Sequence, residues 1–152
     1  MTTASTEHSA RVIVGVDGSP ESQQALRWAA KFADSCGARL VAVTVWEYPA
    51  TLGWNAWPQE WDPSAASRVT LANTVDEVFG AHPPEDLELL VRQGSAAGAL
   101  LEESKGAVML VVGSRGHGGF TGLLLGSVSA NVAEHASCPV LVMHGDQLPP
   151  GA

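Results

Sequence analysis

Between Val111 and Val128 the sequence reads VVGSRGHGGFTGLLLGSV, with glycines at 113, 116, 118, 119, 122 and 126. These residue types suit the capture of an anion. Glycine lets a backbone approach a ligand closely and adopt positive φ, and successive N–H groups in such a loop form a concave anion site. An unbroken apolar run precedes Gly113, and helical spacing resumes at Ser127. A phosphate at Ser127 would meet the unpaired N–H groups and the positive dipole end of a helix. Arg115 adds a forked cation, and Ser114 and Ser127 add hydroxyl donors. The bland alternative is a connector that needs glycine only for its turns. Placement between a buried strand and a helix start favours phosphate.

Other phosphate and nucleophile signatures are missing. A P-loop needs a lysine beside its last glycine, and the only lysines are Lys31 and Lys105. A dinucleotide GxGxxG read from Gly116 meets Thr121 where its last glycine should stand, and GxSxG is absent. His117 reads as a solvated loop histidine with no catalytic role. His135 and His144 have no ligand-like companions, so no metal held by protein groups is expected. A Mg²⁺ or Mn²⁺ carried by the phosphates is compatible, because such ions keep their waters and need few protein ligands.

These residues need elements to position them. RVIVGV, residues 11–16, and RLVAVTVW, residues 39–46, read as strands buried on both faces. Between them Ser19 is an N-cap, Pro20 suits the first helical position and Glu21 complements the dipole. Ala25, Leu26, Ala29, Phe32 and Ala33 give that helix one apolar face, and Gly37 stops it. A second helix from Pro63 or Ser64 to Phe79 should bury Leu71, Val75, Val78 and Phe79. Asp86 to Arg92 reads as a third strand. Ser95 caps a short third helix, and Ala107 to Val112 is a fourth strand. Ser127 to His135 is a fourth helix, and Pro139 to Met143 a fifth strand. Alternation of this kind implies a parallel sheet covered on both faces, with ligands at the carboxyl edge where strand order reverses. Asp17-Gly18-Ser19 leaves that edge, although Asp-Gly is also a favourable turn pair. Cys138 reads as a small core residue.

Composition narrows the partners. The 152 residues suit one domain, spanning 11–144, with a disordered tail over 1–10 and a second tail over 145–152. Net charge is −8, with eight Lys and Arg spread over the chain. That excludes a duplex nucleic-acid footprint and disfavours a membrane surface. No apolar run approaches the roughly 20 residues that span a bilayer. Two cysteines build no disulfide framework, and the first ten residues lack the apolar core of a signal peptide, so a cytoplasmic location is expected. Glu47 to Pro63 holds Trp54, Trp57 and Trp61. They read as packing groups rather than a cover for a ligand.

One resemblance is specific. Gly113-x2-Gly116-x9-Gly126-Ser127 matches the G-2x-G-9x-G-[S/T] signature of the universal stress protein family. VIVGVDGSPES near the start and LLLGSVSANVAEHASCPVLVM near the end also resemble that family, so the match covers Arg11 to Met143. The resemblance implies an α/β fold, an open five-stranded parallel sheet of order 3-2-1-4-5 with helices on both faces, of the adenine nucleotide alpha hydrolase-like type. It implies ATP as ligand, in a regulatory or stress-response module. Gly113, Gly116, Gly126 and Ser127 would hold the phosphates or ribose, with Ser114, Arg115, His117, Gly118, Gly119 and Val128 in the same wall. Asp17 would face the adenosine end, Gly15 would admit the ligand, the Val45 backbone would read adenine, and Gly94 would touch the base. It also implies a homodimer through Pro139 to Met143. Two alternatives stay open: slow ATP hydrolysis helped by Arg115 and His117, and AMP or cyclic AMP as the ligand.

Overall fold

The computed structural model describes residues 10–47, 62–115 and 125–151. Five strands alternate with four helices over these residues. In chain order they are β1 (Arg11–Gly15), α1 (Pro20–Cys36), β2 (Arg39–Trp46), α2 (Pro63–Phe79), β3 (Glu88–Gln93), α3 (Ala96–Glu103), β4 (Met109–Gly113), α4 (Ser127–His135) and β5 (Val140–Met143). The strands form one sheet in the order β3-β2-β1-β4-β5, and every pairing is parallel. Both the alternation and the strand order agree with the expectation.

The period of two along each strand divides the core between the faces. Val12, Val14 and Val16 join Leu40, Ala42 and Val111 under α1 and α2. Ile13 joins Val41, Val43, Leu110 and Val112 under α3 and α4, where Leu100 and Val132 meet it. Ala25, Ala29 and Ala33 carry the buried face of α1 with Leu26. Their small side chains let that helix lie close to the sheet. Phe32 is only half-buried and stacks on Trp28 instead, with ring centroids 6.1 Å apart. On α2, Leu71 and Val75 are buried, whereas Val78 and Phe79 only border the core.

Caps set the helix bounds. The Ser19 hydroxyl accepts from the Ser22 N–H at 3.2 Å, and Gly37 ends α1 in the left-handed region at φ 63°. The Asp62 carboxylate accepts from the N–H groups of Ser64 and Ala65 at 3.0 and 3.1 Å. The Ser95 hydroxyl accepts from the Gly98 N–H at 3.1 Å. Three strands start later than the sequence suggests. Leu87 N–H donates to Pro84 C=O, so Asp86 lies in a turn before β3. Ala107 N–H closes onto Ser104 C=O ahead of β4. Pro139 has no N–H to give, although its C=O accepts from Leu110, so β5 begins at Val140.

Beyond β5 the chain turns back over α1. Trp28 Nε1–H donates to Gln147 C=O at 2.8 Å, Gln24 Nε2 donates to Asp146 C=O at 3.3 Å, and Pro149 is buried. The expected disorder over 1–10 and the tryptophan segment lie outside the described residues, apart from Ala10, Glu47, Asp62 and Pro63.

Candidate functional site

At the carboxyl edge of the sheet, β1 leads to a helix on one face and β4 leads to a helix on the other. β1 and β4 are neighbours. Their exits therefore diverge and leave a crevice where strand order reverses. Each described residue expected at the site can be placed relative to that crevice.

On the β1 side, Asp17 is exposed and organises a turn. Its Oδ1 accepts the Ser19 N–H at 2.9 Å, and its own N–H donates to Ser22 Oγ at 3.3 Å. Gly18 takes φ 84° between them. Turn chemistry thus accounts for one carboxylate oxygen. Gly15 has a packing reason for its missing side chain. A Cβ there would meet Leu100 Cδ1 of α3 at 3.0 Å.

β2 outruns β1. The last β1–β2 pair is Gly15 with Val43, whereas β2 continues to Trp46. Val43 C=O accepts from Val16 N–H on the β1 side, and Trp46 C=O accepts from Gly94 N–H on the β3 side. Backbone groups alternate in direction along a strand, so the N–H and C=O of Val45 face the β1 side past the last pair. That is the orientation a backbone reader of a ligand edge needs. Gly94 sits at φ 131°, a region that L side chains rarely adopt, and so ends β3 in a conformation suited to glycine.

On the β4 side, Gly113 is where α1 and the sheet touch. A Cβ at Gly113 would stand 2.7 Å from Glu21 Cβ and 3.0 Å from the Glu21 carbonyl carbon. Ser114 is buried, and its N–H donates to Met143 C=O at 2.8 Å. That amide is therefore committed to β5. Ser114 C=O accepts from Gly126 N–H at 2.7 Å, which ties the end of β4 to the start of α4. Arg115 and Ser127 are exposed, and Val128 is half-buried against the α4-side core. Gly116, His117, Gly118 and Gly119 lie outside the described residues.

α4 differs from the other helices in its first turn. Its N-cap is Gly126, and no side chain caps it. The cap residue has φ −70° and ψ 167°, a conformation open to any residue, so its backbone does not require glycine. The start of α4 thus presents helix N–H groups at the sheet's carboxyl edge without a side-chain acceptor among the described residues.

One residue that holds this corner is absent from the signature. Ser129 is buried, and its hydroxyl reaches Ser114 C=O at 2.9 Å and Gly126 C=O at 3.1 Å. The sequence carried a faint signal. Ser129 and Val132 are three apart on the buried stripe of α4, where a hydroxyl needs a partner.

The fold agrees with that of related proteins. The model of the universal stress protein family matches residues 9–144. A universal stress protein of Mycolicibacterium smegmatis is 39% identical over 136 residues, covering 87% of this chain and 45% of its own length. One from Mycobacterium tuberculosis is 33% identical over 143 residues, covering 89% of this chain and 48% of its own. The chain therefore spans about half the length of these relatives. Among solved structures, a universal stress protein in complex with cAMP superposes with a TM-score of 0.67 at 30% identity, covering 90% of this chain and 97% of that one. The family match over residues 9–144, together with these relatives and the strand order, places this chain in the universal stress protein family.

Proposed function

We propose that this chain is an adenine-nucleotide-binding regulatory module, with ATP as its principal ligand. The observation that carries the reading is the start of α4. Its first N–H groups lack a side-chain cap among the described residues and stand at the sheet's carboxyl edge, where a phosphate would complete them. Gly113-x2-Gly116-x9-Gly126-Ser127 spans this place, and Arg115 lies exposed at its near end. Ser127, Arg115 and the N–H groups of Gly116, His117, Gly118, Gly119 and Val128 would hold phosphate oxygens. Val45 would meet the adenine edge through its backbone, and Asp17 would face the ribose. Gly15, Gly94, Gly113 and Ser114 would shape the wall. A Mg²⁺ or Mn²⁺ would arrive on the phosphates, held chiefly by phosphate and water oxygens. β5 is an edge strand and would pair with a second copy to form a homodimer. A cytoplasmic setting suits such a module.

Calorimetric titration of nucleotide-free protein with ATP, with and without Mg²⁺, tests the reading. Saturable binding of one ATP per chain is expected. Absence of binding in both conditions would overturn it. The relative solved with cAMP favours a second reading, in which a single phosphate suffices. Competition decides between them: ATP should displace cAMP at lower concentration than the reverse, and the opposite order would make cAMP the ligand.

A further inference from the structure

We infer that Ser129 is a positioning residue for the phosphate end of this site, a role that rests on the nucleotide-binding reading above. The glycine-rich segment leaves the sheet at Ser114 and rejoins the fold at Gly126. Two hydrogen bonds close its neck, and a third braces the far end. Gly126 N–H donates to Ser114 C=O at 2.7 Å. The Ser129 hydroxyl lies 2.9 Å from the same Ser114 oxygen and 3.1 Å from Gly126 C=O. Behind them, Ser114 N–H donates to Met143 C=O at 2.8 Å and fixes the near end to β5. A hydroxyl has one proton, so Ser129 shares it between two carbonyls that belong to opposite ends of the loop. It therefore acts as a pin across the neck.

The placement gives the pin its consequence. Ser129 stands in the first turn of α4, the same turn whose N–H groups would meet phosphate. Its side chain is buried on the core side, so it does not itself present a donor to solvent. What it fixes is the distance and angle between the end of β4, which carries Arg115, and the start of α4, which carries Ser127. Anion capture by several N–H groups depends on their mutual direction. Adenine recognition at Val45, on β2, does not pass through this neck. Losing the pin should weaken binding in proportion to what the phosphates contribute and leave the nucleoside part unchanged.

The test compares wild type with Ser129→Ala and with Ser129→Cys, which keeps the volume and lacks a strong donor. Each protein is titrated with ATP and with adenosine, and thermal unfolding confirms that it is folded. Roughly fivefold weaker ATP binding is expected in both variants, the size of one hydrogen bond's net worth, with adenosine affinity unchanged. Ser129→Thr, which retains the hydroxyl, should recover ATP affinity. If Ser129→Ala does not fold, Ser129→Cys carries the comparison. A folded variant that binds ATP as wild type does, or loses ATP and adenosine equally, overturns the positioning role. Wild type that binds neither compound overturns the nucleotide reading itself, a distinct result.

Discussion

Gly113 and Gly94 both resist replacement, for different reasons. At Gly113 the obstacle is space, because a Cβ would stand 2.7 Å from Glu21 Cβ and 3.0 Å from backbone. At Gly94 space is open but φ is 131°. Gly113→Ala should cost about 1–3 kcal/mol through overpacking, and Gly94→Ala roughly 1–3 kcal/mol through backbone strain. Urea unfolding checks both, and wild-type midpoints would refute them. Ser19→Ala removes the α1 cap and should cost about 1 kcal/mol in the same assay. Part of the candidate site was legible as residue types. Gly126, Ser127 and Arg115 announce themselves by type and spacing. The reasons behind Gly15 and Gly113 were not, because Leu100 and Glu21 reach them from distant positions in the chain. Ser129 was missed since its two acceptors become neighbours only when the loop closes.

Element bounds followed cap chemistry wherever a cap was present. Ser19, Asp62 and Ser95 each stand one residue before a helix and accept its N–H groups. Strand starts were less legible, since a turn such as Pro84 to Leu87 and a ladder can share the same apolar residues. The α2 cap carries a pH dependence. The Ser64 hydroxyl, then the Ala65 N–H, hold the Asp62 carboxyl below the usual aspartate range, with the Ser64 N–H and the charge of Arg68 adding to this. The folded value lies below the unfolded one. The cap's contribution is therefore complete above the ordinary aspartate pKa and is lost as pH falls through the depressed value. An NMR titration should place the Asp62 midpoint below that of a free aspartate, and a midpoint at or above it would contradict the cap geometry.

For the whole molecule, strand order does most of the positioning. Placing β1 beside β4 brings residues 15–17 and 113–114 to one crevice, although nearly a hundred positions separate them. Occupancy of that crevice should stabilise the entire cooperative unit. At a free ATP concentration of 100 Kd, the added stability is about 2.7 kcal/mol, which for this chain length is roughly 5–10 °C in Tm. A thermal-shift series against ATP checks it, and a flat response at saturating ATP would refute it. The contact between Gly113 and Glu21 has a consequence for how the signature is read as information. Packing alone demands the first glycine, so a descendant that had stopped binding nucleotide would still keep it. Gly126, at φ −70° and ψ 167°, meets no such demand from its backbone angles. The signature's opening letter thus reports the fold, through its contact with Glu21, independently of any ligand.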